Sequence, residues 1–167
     1  MDEYTIPRRR MVELLRFHYK IADERVLRAM AAIPRHLFVP DALRSQAYKD
    51  NALPIAAGQT ISQPFIVARM TELLELKGRE RVLEIGAGSG YQTAVLSMLA
   101  RRVYSVERID ELAAKARVSL RSIGVGNVSA RIADGTVGWP VYAPLDRKSG
   151  SAGMPRPWSE SRMPSSA

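Results

Sequence analysis

Val82-Leu83-Glu84-Ile85-Gly86-Ala87-Gly88-Ser89-Gly90-Tyr91-Gln92 sets a short apolar run, three alternating glycines and a helix-forming segment in direct succession. Arg81 to Ile85 is too short for a helix and suits a buried strand, and Gly86 to Gly90 suits a loop. From Tyr91 to Ala100 the apolar residues Ala94, Val95, Met98 and Leu99 share one helical face. Working outward, Arg102 to Val106 is a second strand. Asp110 is expected to cap a helix that runs to about Ile123 and stops at Gly124, and Val128 to Ile132 is a third strand before Asp134-Gly135. The order βαβαβ implies an α/β fold with a parallel sheet and right-handed crossovers.

Upstream the pattern is helical. Met11, Leu14, Leu15 and His18 form one stripe. Val26, Leu27, Met30 and Ala31 form another, with Asp23 as its N-cap. Pro34 and Pro40 interrupt the chain, and short mixed elements are expected from Asp41 to Thr60. Ile66, Val67, Met70, Leu73 and Leu74 define an amphipathic helix that starts near Pro64 and ends at Lys77-Gly78. Residues 147–167 contain no Val, Ile, Leu, Phe or Tyr and are rich in Ser, Pro and Gly, so a disordered tail is expected there. The expected organisation is therefore a helical segment over 1–76, half of a nucleotide-binding sheet over 77–146, and a tail over 147–167.

Composition narrows the function. The chain has 167 residues, a formal charge of +8, no cysteine and two histidines. Disulfides, thiolate zinc sites and cysteine nucleophiles are excluded, and no metal site is expected. No apolar run reaches the ~18 residues of a membrane span, and the Met-Asp-Glu-Tyr start followed by Arg8-Arg9-Arg10 lacks the apolar stretch of a signal peptide. A soluble cytoplasmic protein is the expectation. The positive charge comes partly from Arg8 to Arg10 and partly from residues 147–167, without interleaved aromatics or zinc-finger spacing. It fits a solvated surface better than a specific nucleic-acid site.

The glycine loop sits between a strand and a helix, where a backbone without side chains lets a ligand approach closely. A dinucleotide fingerprint would carry Gly or Ala at the sixth position from Gly86, but Tyr91 stands there. Glu84 beside the loop disfavours a pyrophosphate and suits a cationic nucleoside that bears an amino acid. Glu107 ends the second strand, placed to accept ribose hydroxyls, and Asp134 ends the third, placed by a base edge. Each acid alone is a plausible solvated cap. Three in a row at the carboxyl ends of consecutive strands point to a nucleoside cofactor, S-adenosyl-L-methionine ahead of NAD.

These residues resemble a class I methyltransferase, and more closely the protein-L-isoaspartate (D-aspartate) O-methyltransferase family. The likeness is carried by Gly58-Gln-Thr-Ile-Ser-Gln-Pro64, by Val82 to Gln92, by Val103-Tyr-Ser-Val-Glu-Arg108 and by Asp134-Gly-Thr-Val-Gly-Trp-Pro140. Ile33-Pro-Arg-His-Leu-Phe-Val-Pro40 adds to it. The resemblance implies N-terminal helices followed by the first half of a Rossmann-like S-adenosylmethionine-dependent methyltransferase sheet. It implies methyl transfer to the α-carboxylate of L-isoaspartyl residues in damaged proteins and peptides, a repair reaction. Glu84, Gly86, Gly88, Gly90, Glu107, Asp134 and Gly135 would then line the cofactor. Ser62 would be the catalytic hydroxyl, with Thr60 and Gln63 beside it on the substrate side. The flanking motif favours the substrate contact for Ser62, and a second role as N-cap of the helix beginning at Pro64 is compatible with it.

The likeness is expected to end near Asp146, as after a frameshift or truncation. The first strand of the βαβαβ unit would then keep an unpaired edge, giving low stability or self-association. A cofactor-binding but inactive fragment and a basic nucleic-acid-associated module are the alternative readings. His36 is expected to be structural, Trp139 to pack under the cofactor loop, and Tyr91 and Gln92 either to line the pocket or to pack the helix.

Overall fold

The computed structural model describes residues 3–150 and 153–157. Its elements in chain order are α1 (Thr5–Phe17), α2 (Glu24–Ala32), β1 (Leu53–Pro54), β2 (Thr60–Ile61), α3 (Pro64–Leu73), β3 (Arg81–Ile85) and α4 (Tyr91–Ser97). There follow β4 (Arg102–Glu107), α5 (Asp110–Ser122), β5 (Val128–Ile132), β6 (Arg147–Gly150) and β7 (Gly153–Pro157). The main sheet has the order β5-β4-β3-β6-β7. Its first four strands are parallel, and β7 runs antiparallel to β6.

Strand alternation sorts the sheet into two faces. Val82 and Val103 join the larger core, into which α1, α2, α4 and α5 deliver Met11, Leu15, Leu27, Met30, Val95 and Leu120. Leu83, Tyr104 and Val106 point the other way and form a smaller cluster with Leu145. Asp23 caps α2 as expected, accepting from the Arg25 and Val26 amides at 2.8 and 3.4 Å. Several helical stripes are rotated from their expected faces. Leu14, His18, Ala31 and Met98 lie exposed, while Ala29 and Leu96 are buried. Tertiary packing selected a neighbouring face of each helix that the apolar spacing allowed equally well.

The carboxyl side of the sheet departs most from expectation. Organisation does not stop at Asp146. The Asp146 carboxylate accepts from the Arg81 amide at 2.8 Å, and its own amide donates to the Arg81 carbonyl at 2.9 Å. Arg147 Nε donates to the Leu74 carbonyl at 2.9 Å. Residues 147–150 then pair in parallel with 82–85, so the edge of β3 expected to be free is covered, and self-association through it has no basis. The polar composition that suggested a tail is overruled by the pairing demand of β3. The rest of the tail expectation, at 151–152 and 158–167, falls outside the described residues.

Candidate functional site

The cleft lies at the carboxyl ends of β3, β4 and β5, where open parallel sheets bind ligands. It encloses about 380 Å³ and gathers Glu84, Gly86, Gly88, Glu107, Asp134 and Gly135 from the sheet side. Thr60 and Ser62 enter from the opposite wall. Gly90 and Gln63, expected in the site, do not line it. Gly90 has φ +86°, and an added Cβ would lie 3.0 Å from Ala116 Cβ, so this glycine serves the packing of the loop against α5. Gln63 is half-buried at the start of α3.

Glu84 is buried beneath the loop. Its Oε2 accepts from Thr93 Oγ1 at 2.5 Å and Ser105 Oγ at 2.7 Å, while Oε1 has no partner. Burial pushes its pKa up to about 7, against the opposing pull of those two hydroxyls; the neighbouring Glu107 charge pushes the same way as burial. A buried carboxyl with one oxygen unsatisfied, lining a cleft, is an acceptor waiting for a donor.

Glu107 organises the loop itself. Oε2 accepts from the Gly88 amide at 2.9 Å, and Oε1 from the Arg108 and Ile109 amides at 2.9 and 3.0 Å. Both lone pairs of Oε1 are thereby engaged, and Oε2 keeps one spare. Asp134 accepts from the Thr136 amide at 2.9 Å, a bond that holds its carboxyl below the usual carboxylate range and forms the turn after β5. Gly135 is required by contact: a Cβ there would fall 2.2 Å from Ile85 Cγ2.

The opposite wall is a hairpin that sequence patterning did not resolve. β1 and β2 pair antiparallel, Leu53 with Ile61 and Pro54 with Thr60, around a turn in which Ala57 and Gly58 have positive φ. Ile55 in this hairpin reaches the glycine loop, its Cδ1 standing 3.9 Å from where a Gly88 Cβ would be. Ser62 follows β2 directly. Its hydroxyl is exposed to the cleft and does not cap α3. Asp50 Oδ1 takes that part instead, accepting from the Phe65 amide at 2.8 Å.

Cleft residues that the sequence did not flag include Met70, Arg108 and Thr136, and also Ser149 and Gly150, whose segment was expected to be disordered. Ser149 lies opposite Glu84 in the strand register and buries an unpartnered hydroxyl. No apolar or charge pattern could have flagged it. Tyr91 and Gln92 both border the cleft, and Tyr91 also packs on Phe38, so the two roles expected of it coexist. His36 is structural, stacked on Tyr4 with its Nδ1 2.8 Å from the Tyr48 hydroxyl. Trp139 packs edge-on against Tyr104 on the smaller face of the sheet rather than under the loop.

A parallel sheet of this order, with a glycine loop between β3 and α4 and acids at successive strand ends, defines a class I methyltransferase domain. Residues 7–160 match the family model described as protein-L-isoaspartate(D-aspartate) O-methyltransferase. The match runs past Asp146, where the likeness was expected to end. The chain is 55% identical over 152 residues to the protein-L-isoaspartate O-methyltransferase of Geobacter metallireducens, covering 91% of this chain and 70% of that one. A solved protein-L-isoaspartate O-methyltransferase superposes with a TM-score of 0.77 at 30% identity, over 87% of this chain and 48% of that one. A Plasmodium falciparum structure titled as a putative member in complex with S-adenosyl-L-homocysteine has a TM-score of 0.64 at 21% identity, over 74% of this chain and 62% of that one. The chain belongs to the protein-L-isoaspartate O-methyltransferase family, whose cofactor is S-adenosylmethionine.

Proposed function

We propose that this chain methylates the α-carboxylate of L-isoaspartyl residues in proteins and peptides, with Ser62 holding the acceptor carboxylate and the β3–β5 side of the cleft holding the cofactor. The observation that carries this reading is the placing of an unengaged Ser62 hydroxyl across one cleft from the glycine loop and three strand-end acids. The residues fit the cofactor. The loop offers backbone without side chains, Glu84 Oε1 is an unpaired buried acceptor suited to an ammonium, and Glu107 Oε2 has a lone pair left for a ribose hydroxyl. Asp134 and Gly135 border the place for the base. S-adenosylmethionine supplies, when bound, a methyl group activated on a sulfonium.

The protein's own task is then small. An isoaspartyl α-carboxyl is already ionised near neutral pH, so no strong general base is required. Ser62 donates to one carboxylate oxygen and leaves the other in line for attack. Positioning supplies most of the acceleration. Thr60 stands beside it on the same wall.

Ser62→Ala tests this directly. A hydrogen bond to a charged group contributes roughly 1.5–3 kcal/mol, so kcat/KM for an isoaspartyl peptide should fall roughly 10- to 100-fold. Binding of S-adenosylhomocysteine, measured by calorimetry, should change little. A Ser62→Ala variant as active as the parent would remove Ser62 from the reaction.

A further inference from the structure

Arg35 is the largest fully buried side chain among the described residues, at 0% exposure. It follows Pro34 in a single 3-10 turn, Arg35–Phe38. Its Nε donates to the Ala47 carbonyl at 2.7 Å and its Nη2 to the Ser62 carbonyl at 2.8 Å. The guanidinium carbon stands 4.7 Å from the centre of the Tyr91 ring, and Nη1 has no partner. Among the described residues no carboxylate lies within ion-pair distance of it. Asp50, the carboxylate whose charge it feels, is engaged by the Tyr19 hydroxyl and the Phe65 amide.

A guanidinium stays charged even when buried. Burial of a charge without a counter-ion is costly, and an apolar side chain of similar volume would fill the space without that cost. The cation therefore calls for a reason beyond packing, and its contacts supply one. Ser62 lines the acceptor side of the cleft, and Tyr91 is the first residue after the glycine loop. One planar group thus ties the two walls together from behind. The same group places a positive charge with no carboxylate in contact in a low-dielectric region behind Ser62, where it favours an anion in the cleft.

We propose that Arg35 is the positioning residue of the carboxylate subsite: it fixes Ser62 against the glycine-loop wall and makes the subsite selective for an anionic acceptor. The inference rests on the assignment of Ser62 to the acceptor carboxylate. Arg35→Lys keeps the charge and loses the two-pronged hold on the Ala47 and Ser62 carbonyls. Arg35→Met loses both.

The test uses the full chain and these two variants, each also combined with Ser62→Ala, with an isoaspartyl peptide as acceptor. Arg35→Lys should lower kcat roughly tenfold, the value of one lost charge-assisted hydrogen bond, with KM little changed. Arg35→Met should in addition raise KM for the peptide by roughly tenfold or more. S-adenosylhomocysteine affinity should stay within about threefold in the lysine variant, and Arg35→Lys should cost nothing further once Ser62 is alanine. If the methionine variant does not fold, the lysine variant decides. A lysine variant with parental kcat would overturn the inference, as would the same loss with and without Ser62. So would a cofactor affinity that drops in parallel with kcat, the mark of a merely structural role. A parental chain that binds S-adenosylhomocysteine yet leaves the peptide unmethylated would overturn the functional reading and this inference together. An active parent with a silent Arg35→Lys would overturn this inference alone.

Discussion

Glu84 shows how one residue couples stability to the site. Burial raises its pKa from 4.5 to about 7, so the folded protein holds this proton more tightly than the unfolded chain does. The contribution to stability is complete below the unfolded value and is lost as pH rises to about 7, a window worth roughly 3 kcal/mol. Glu84→Gln keeps the shape and cannot ionise. Its melting temperature relative to the parent should climb as pH increases from about 4.5 to about 7 and then level off. Parallel melting curves across that range would show that Glu84 ionises freely in the folded state. Residue type and spacing were enough to single out Glu84, Glu107 and Asp134, because acids at strand ends beside a glycine loop are rare by chance. Arg35 was not legible in the same way. Its partners are carbonyls 12 and 27 residues away, and buried cations are too uncommon for any pattern to announce them.

At the scale of elements, the turn after β5 and the end of β3 are fitted to each other. Gly135 passes so close to Ile85 that an alanine would meet Cγ2 at 2.2 Å. Overpacking of this kind costs about 1–3 kcal/mol, and for a chain of this size each kcal/mol moves the melting temperature by roughly 2–4 °C. Gly135→Ala should therefore melt several degrees below the parent in a thermal scan. In an Ile85→Ala background the same change should cost little, since the methyl it strikes is gone. Equal losses in both backgrounds would place the strain elsewhere. The strand–loop–helix run from Arg81 and the third strand were legible from periodicity and glycine spacing. The hairpin of β1 and β2 was not, because two-residue strands leave no period to read. Nor was β6. Arg147-Lys148-Ser149-Gly150 has little strand preference of its own, and its conformation is imposed by the open edge of β3.

At the scale of the whole molecule, the hairpin and α3 form one wall of the cleft, and the carboxyl end of the parallel sheet with its loops forms the other. The glycine loop alone would serve many cofactor-dependent reactions. On the proposed reading, the wall that carries Thr60 and Ser62 turns it toward a carboxylate acceptor, and Arg35 joins the two. Membership of the isoaspartyl methyltransferase family follows from sequence likeness along most of the chain, including residues beyond Asp146. No helix among the described residues is long and apolar enough to cross a membrane. The most direct measurement is methyl transfer from labelled S-adenosylmethionine by the 167-residue chain, comparing an isoaspartyl peptide with the same peptide carrying normal aspartate. Base-labile label on the isoaspartyl peptide alone is the predicted result. Equal labelling of both peptides, or no labelling by a chain that binds S-adenosylhomocysteine, would contradict it.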